Sequence, residues 1–162
     1  MTFDFGRERD PRALSVVVPG TDGVDLVHRL RPAVPAGWVV FVGTDQWLGD
    51  EQHKDSVEVV VGPGSDQFDI LRLARSDAIN YGMGTEDLIR KLKSYDATVG
   101  LDILEANTDT VVSQLSRHPP DPIAFANDVY AFCPDIVDQG TGTVAALRDE
   151  LHQTKVLFLW WD

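Results

Sequence analysis

The sequence predicts an α+β fold, in which a single mixed β-sheet is packed with about four α-helices. Short β-branched or apolar runs bounded by Gly and Pro are interspersed with stretches that begin at recognisable helix caps. Two neighbouring apolar runs are joined by the turn Asn107-Thr108-Asp109, which predicts a hairpin and therefore an antiparallel pair. The 162 residues, 43% of them hydrophobic, suffice for one domain spanning residues 1–162.

The first part of the chain, residues 1–64, predicts a β-α-β-β order. Strands are expected over residues 14–18, 38–42 and 57–61, where apolar and β-branched residues cluster. Thr21 is expected to cap a helix over residues 22–30. The polar stretch 43–55 is predicted to be a loop, and it holds the lone aromatic residue Trp47.

The second part, residues 68–162, predicts an α/β arrangement. Helices are expected over residues 68–74, from 85, from 122 to about 133 and from a Thr143 cap to about 152, and strands over 101–104, 110–115 and 156–161. Thr85 begins its helix with Glu86 and Asp87 in the first turn, where the helix dipole favours anions. Asp121 is an N-cap followed by proline, and Pro134 ends that helix.

The last predicted strand, Val156–Trp161, is apolar on both faces, which favours a central position in the sheet. Trp160 and Trp161 alternate along it and should point to opposite faces. If both faces are covered, both tryptophans belong to the core. If one face is open, a tryptophan beside Asp162 is the kind of anchor found at interfaces.

The charge balance is strongly acidic, with a net charge of −12. Because phosphate backbones and anionic membranes attract Lys and Arg, direct binding to nucleic acid or to a membrane is not expected. The acidic excess is concentrated after Thr98. Two interpretations stay open: the charge serves solubility, or it forms a face that meets a basic partner.

A cytoplasmic location is expected. The longest apolar runs are far shorter than the roughly 20 residues of a membrane span. The N-terminus lacks a basic start followed by an apolar stretch, and the single cysteine, Cys133, cannot form an internal disulfide.

Three motifs stand in the second part: Asn80-Tyr81-Gly82 with Thr85-Glu86-Asp87, the run from Phe132 to Gly140, and the closing Leu159–Asp162. In this order and spacing they resemble a bacterial family known as domain of unknown function 4253, over roughly residues 68–162. The motif residues are Asn80, Tyr81, Gly82, Thr85, Glu86, Asp87, Cys133, Pro134, Asp135, Asp138, Gln139, Gly140, Trp160 and Trp161. The resemblance implies small cytoplasmic proteins, some encoded in toxin–immunity clusters, and it brings no catalytic residue.

The run after the predicted helix end holds Asp135, Asp138 and Gln139, with Asp162 expected nearby. Such carboxylates suit a divalent cation or an acid–base pair. The competing interpretation is turn chemistry, in which Asp138 and Gln139 satisfy loose backbone groups and Gly140 adopts a positive φ.

Two other candidates are weighed against structural roles. Cys133 as a nucleophile would need a base such as His118 or His152, whereas a cysteine closing an apolar helix face is more commonly buried. Asn80-Tyr81-Gly82 precedes a helix N-terminus and suits an anion, but the segment lacks a phosphate-binding lysine and is predicted to be a turn.

The leading hypothesis is a non-enzymatic, acidic cytoplasmic inhibitor of the immunity type, which neutralises a cognate bacterial toxin by steric and electrostatic blocking. The contact is expected to involve Asp45, Trp47, Asp50, Glu51, Asp135, Asp138 and Asp162. No cofactor and no metal are expected, and the partner is a basic protein. The alternatives are a metal-assisted hydrolase built on Asp135, Asp138, Gln139 and Asn80, and a structural or regulatory module.

Overall fold

The computed structural model describes residues 1–3, 8–45 and 52–162. Its strands are β1 (Thr2–Phe3), β2 (Glu8–Arg9), β3 (Leu14–Pro19), β4 (Trp38–Val42), β5 (Ser56–Pro63), β6 (Leu101–Ala106), β7 (Thr110–Leu115) and β8 (Val156–Trp160). Its α-helices are α1 (Gly23–Leu30), α2 (Asp69–Ala74), α3 (Thr85–Val99), α4 (Pro122–Phe132) and α5 (Val144–Thr154). A π-helix covers Ile136–Thr141. The predicted α+β class is confirmed.

The described strands form a mixed six-stranded sheet in the order β3-β5-β4-β6-β7-β8, and β1 pairs with β2 separately. β5 pairs antiparallel with both β3 and β4, whereas β4 and β6 are parallel. β7 and β8 pair antiparallel, with Val111 opposite Leu159 and Ser113 opposite Leu157. The prediction of a single mixed sheet is confirmed.

The predicted central position of the last strand is wrong, because β8 forms an edge of the sheet. Leu157 and Leu159 are buried, but Phe158 between them is 45% exposed. Val156 and Trp160 on the same side are half-buried. Apolar residues on both faces of β8 therefore do not indicate a central strand. One face of this edge strand is partly exposed.

Helix starts follow local chemistry closely. Asp121 caps α4, since its carboxylate accepts hydrogen bonds from the N–H groups of Ile123 and Ala124 at 3.1 and 2.9 Å. Thr143 caps α5 by accepting from the N–H of Ala146 at 3.1 Å. The expected Thr21 cap is wrong, because a 3₁₀ turn over Gly20–Asp22 precedes α1 and places the Thr21 hydroxyl against the Asp22 carboxylate.

Close contacts group the chain into two compact units. One comprises Met1–Ser76 and Ile103–Thr108, and the other comprises Asp77–Asp102 and Asp109–Asp162. The division of the single domain into a first part, residues 1–64, and a second part, residues 68–162, stays a prediction. No described helix is long and apolar enough to cross a lipid bilayer.

The first unit contains an apolar cluster and a buried carboxylate. The cluster consists of Val27, Val40, Val42 and Val59. Glu58 is 2% exposed, and its carboxylate accepts hydrogen bonds from the Thr2 N–H at 2.7 Å and from the Ser15 hydroxyl at 2.5 Å. These donors supply the polar partners that a buried acid requires.

The edge strand β3 of the same unit exposes apolar side chains. In β3, Leu14 is 74% exposed and Val16 is 49% exposed. β3 carries no charged residue, and it forms the edge of the sheet opposite β8.

The second unit contains edge-to-face aromatic contacts between helices α3 and α4 and between α4 and the residue that follows β8. The ring of Tyr95 lies edge-on to Phe125, with centroids 5.1 Å apart, and Phe132 meets Trp161 in the same way at 5.3 Å. Lys91 bridges the two helices through the carboxylate of Asp128, at 2.7 Å. Such edge-to-face pairs add to the stabilisation that burial provides.

Glu105 in β6 makes the first unit sensitive to pH. Burial, together with the negative charge of Asp45, raises the pKa of Glu105 to about 7 from 4.5. Because the unfolded chain releases this proton at lower pH than the folded chain does, the group lowers the free energy of unfolding as pH rises from 4.5 towards 7.

Replacing Glu105 with glutamine should therefore stabilise the protein at pH 8 by about 1–2 kcal/mol, allowing for solvent screening of a half-buried group. At pH 4 the carboxyl is mostly protonated in both states, so the gain should nearly vanish. Urea denaturation of the wild type and of Glu105→Gln at the two pH values measures this. Asp45→Asn is the control, expected to give a smaller gain, and an equal gain at both pH values would contradict the explanation.

Candidate functional site

The carboxylate of Asp135 lies at the centre of the candidate site. It is 6% exposed, and it accepts hydrogen bonds from the Tyr81 hydroxyl at 2.7 Å, the Gln139 amide at 3.2 Å and the backbone N–H of Asp162 at 2.9 Å. The donors come from all three sequence motifs, which stand far apart in the chain. One side chain thus joins the three motifs in space.

Local backbone features hold Asp135 in place. Helix α4 ends before Cys133-Pro134, and the chain then turns into the π-helix over Ile136–Thr141. The N–H groups of Val137 and Asp138 donate to the carbonyl of Pro134 at 2.9 and 3.0 Å. This turn brings Gln139, four residues after Asp135, within reach of the carboxylate.

Asp135 is an anion at neutral pH. Its burial alone would raise the pKa, but the hydrogen bonds from the Asp162 N–H, Tyr81 and Gln139 outweigh burial and lower it. The same contact raises the pKa of Tyr81 to about 12, because the phenol donates to a negatively charged acceptor. Among the described residues, all the hydrogen-bonding partners of Asp135 are neutral groups.

A cavity of about 340 Å³ lies beside this carboxylate. Its walls come from the π-helix, from α5 and from β8. The lining residues are Asp135, Ile136, Gln139, Gly140, Thr141, Leu147, Glu150, Leu151, Val156, Phe158 and Trp160. The wall is mostly apolar. It carries two carboxylates, that of the buried Asp135 and that of the exposed Glu150.

Asp138 and Asn80 take different places from Asp135. The carboxylate of Asp138 is exposed and accepts a hydrogen bond from the Tyr130 hydroxyl at 3.1 Å. Asn80 is exposed on the short 3₁₀ turn Ile79–Tyr81, which Gly82 closes with a φ of 69°. The structure thus brings Asp135 and Gln139 together at the cavity, while Asp138 contacts another side chain.

The expected turn chemistry of this segment is partly wrong. Gly140 lies inside the π-helix, and the left-handed residue that ends the helix is Gly142, with a φ of 76°. Asp138 and Gln139 bond to the side chains of Tyr130 and Asp135 and do not cap backbone groups. The reason is that the segment continues as a wide helix for six residues, so the reversal falls two residues later than a simple turn would place it.

Cys133 is a buried structural thiol. Its Sγ donates to the carbonyl oxygen of Trp160 at 3.0 Å and accepts from the N–H of the same residue at 3.3 Å. Burial raises the pKa of the thiol to about 12. His118 and His152, proposed as its bases, are exposed and stack on each other with ring centroids 4.5 Å apart.

The two terminal tryptophans differ in surroundings. Trp161 is 4% exposed, and its indole N–H donates to the carbonyl of Phe132 at 3.2 Å. Trp160 is half-buried and lines the cavity. One tryptophan therefore belongs to the core and the other to the candidate site.

The remaining predicted contact residues lie elsewhere. Asp45 is exposed after β4 in the first unit. Trp47, Asp50 and Glu51 lie outside the described residues. Thr85 begins α3, whose Asp87 carboxylate accepts from the Gly84 N–H at 3.1 Å, and Glu86 is exposed in the same turn.

Sequence reasoning missed the charged and aromatic lining residues Glu150 and Phe158, and it also missed the histidine stack. Phe158 carries a usable signal: Val156, Phe158 and Trp160 alternate with the buried Leu157 and Leu159, so they share the second face of β8. Glu150 gives no such signal, because an acid in a helix is ordinarily a solvated side chain. Among the described residues, no group of three or more His, Cys, Asp or Glu is arranged to hold a metal ion.

The fold and site define an α+β protein with a buried anion at the wall of an apolar cavity. The chain belongs to the family described as Domain of unknown function (DUF4253), whose match covers residues 58–162. The match includes all three motifs and begins earlier than the residue 68 expected from the resemblance. Comparisons with curated proteins and with solved structures give no match.

Replacing Asp135 with asparagine should lower the free energy of unfolding by about 1–3 kcal/mol at pH 7, since an amide NH₂ would face hydrogen-bond donors. The pKa of Asp135 is lowered in the fold, so its contribution is present above the ordinary carboxyl pKa and is lost as pH falls through the lowered value. Urea denaturation of wild type and Asp135→Asn across pH 2–7 should show the difference narrowing on acidification.

Asp138→Asn is the matched control for this experiment, because Asp138 is exposed and accepts one hydrogen bond. Its effect should stay within about 0.5 kcal/mol. Equal losses in the two variants would contradict the central role of Asp135.

The Cys133 thiol should react with a disulfide reagent at least about 30-fold more slowly in the folded protein at pH 8 than in denaturant, because burial raises its pKa from 9.0 to about 12 and the thiolate is the reactive form, while the higher pKa makes the remaining thiolate more nucleophilic. The rate of thionitrobenzoate release measures this. A native thiol that titrates near pH 8 would instead favour a nucleophilic role.

Proposed function

We propose that this protein is an acidic cytoplasmic binding protein of the immunity type, which neutralises a cognate bacterial toxin by steric and electrostatic blocking. The observation that carries the proposal is the carboxylate of Asp135, a buried anion on the wall of a mostly apolar cavity, whose described hydrogen-bonding partners are all neutral. The hydrogen bonds keep the carboxylate ionised, and a cation brought by a partner would add a charge-assisted hydrogen bond to it.

The overall charge supports the same proposal. With a net charge of −12, the protein attracts a basic partner at long range, and such attraction raises the rate of encounter. Beside the cavity, Phe158 is 45% exposed, and exposed aromatic side chains are frequent anchors in protein interfaces.

The hydrolase alternative receives less support from the geometry. A general base needs a pKa near the working pH, whereas the three hydrogen bonds at Asp135 lower its pKa and weaken it as a base. Asp138, the second acid of that alternative, bonds to Tyr130 and is exposed. The arrangement favours holding a charge over transferring a proton.

The proposal predicts that co-expression of this protein with its cognate toxin restores growth, and that the two proteins co-elute in size-exclusion chromatography. Because the attraction is electrostatic, the dissociation constant should rise as salt is increased from 50 to 500 mM. A catalytically inactive toxin variant is the control, since it should still form the complex. Absence of both protection and a complex would contradict the proposal.

A further inference from the structure

The cavity beside Asp135 has the size of a side-chain site. Its volume of about 340 Å³ lies near the lower end of the range of about 300–1,000 Å³ found for ligand sites in proteins. Leu147, Leu151 and Val156 give it apolar walls. A slender group with a long apolar part fits such a space better than a nucleotide or other large cofactor does.

The polar groups of the cavity select for positive charge. Asp135 supplies a negative charge in the wall, and all its described partners are neutral. The Glu150 carboxylate is exposed in α5, and among the described residues it has no hydrogen bond or ion pair. No described lysine or arginine lines the cavity, so neither carboxylate is paired with a cation in the described part of the chain.

Aromatic residues complete the lining. Phe158 and Trp160 belong to the same face of β8 and form part of one wall. A cation over the face of an aromatic ring is attracted to the electron-rich face, and tryptophan is the strongest of the aromatic partners.

We infer that this cavity binds the side chain of an arginine that the protein partner presents. The inference rests on the proposed function and deepens it. Arginine suits the site better than lysine because its guanidinium is planar, stacks on aromatic rings and is more weakly hydrated, so it enters an apolar cavity at lower cost. Its methylene chain would pack on the leucine and valine walls.

Asp135 retains capacity for one further donor. Each carboxylate oxygen accepts about two hydrogen bonds. Oδ1 already accepts from Tyr81 and Gln139, whereas Oδ2 accepts one hydrogen bond, from the Asp162 N–H. A guanidinium would therefore take one position on Asp135, and Glu150 would meet its other N–H groups.

A protein partner explains the cavity rim better than a small cation does. Phe158 is 45% exposed beside the opening, and a free small molecule inside the cavity would leave that ring in water. An arginine on a protein surface brings neighbouring residues that cover the rim. The negative charge of the protein also favours a partner with a basic surface, because the charges of the two surfaces are then complementary.

The first experiment uses Nα-acetyl-arginine N-methylamide as the probe and the full chain as the receptor. Two-dimensional ¹H–¹⁵N NMR should show shifts in the Gln139 side-chain amide and the Trp160 indole, with a millimolar dissociation constant. The citrulline analogue, which is neutral and nearly isosteric, should bind at least about 10-fold more weakly. The lysine analogue should be intermediate.

Two variants and one matched control locate the site. Glu150→Gln and Phe158→Leu should each weaken arginine-probe binding about 3- to 10-fold, and both positions are exposed enough for the fold to persist. Asp149→Asn removes the same charge one residue away in α5, where Asp149 pairs with Arg148 at 2.7 Å. It should leave probe binding unchanged. Equal binding of arginine and citrulline probes, or equal loss in Asp149→Asn, would overturn the inference.

The second experiment separates this inference from the proposed function. Glu150→Gln and Phe158→Leu should weaken the toxin complex at least about 10-fold, and so should replacement by alanine of the one toxin arginine that enters the cavity. A toxin complex unaffected by both variants would overturn the inference and leave the proposed function standing. Probe binding without any toxin complex would contradict the proposed function and indicate a small cationic ligand instead.

Discussion

A buried carboxylate that accepts hydrogen bonds from three segments is the constraint on which the second unit depends. Asp135 joins the turn before α3, the π-helix after α4 and the chain after β8. Burial of an acid is unfavourable in itself, and the three hydrogen bonds offset this cost. Each donor is supplied by a different element, so the carboxylate links all three. The same hydrogen bonds keep the side chain ionised, and they therefore maintain a fixed negative charge at the wall of the cavity. The fold of the second unit and the proposed recognition of a partner therefore both depend on the carboxylate of Asp135.

The thiol of Cys133 provides a second connection in the same region. It bonds to both the carbonyl and the N–H of Trp160, and so it ties the end of α4 to the edge strand β8. Trp161 reinforces this connection from its indole N–H to Phe132. Hydrogen bonds between side chains and backbone thus hold the wall that carries Trp160 from one side, and a specific binding site needs such support.

Sequence patterns predict the local features of this protein well and the non-local ones poorly. The caps at Asp121 and Thr143 depend on a few neighbouring residues, and the structure confirms both. The position of β8 depends on which strands pair across the whole chain, and periodicity carries no such information. Likewise, the sequence predicts that Asp162 lies near Asp135, which the structure confirms, but it does not show that Tyr81 joins them. The cavity also could not be predicted in full, because one of its lining residues, Glu150, has the sequence pattern of an ordinary solvated acid.

The edge strand β3 gives the strong negative charge a further consequence. Its row of exposed leucine and valine side chains carries no charge, and such an edge is a template for pairing with another β-strand. Mutual repulsion between highly charged molecules keeps two such edges apart. Near pH 4.5, where the net charge approaches zero, or in concentrated salt, this barrier is removed. The colloidal behaviour of the protein is therefore governed by the same surplus of acids on which the proposed encounter with a basic partner depends.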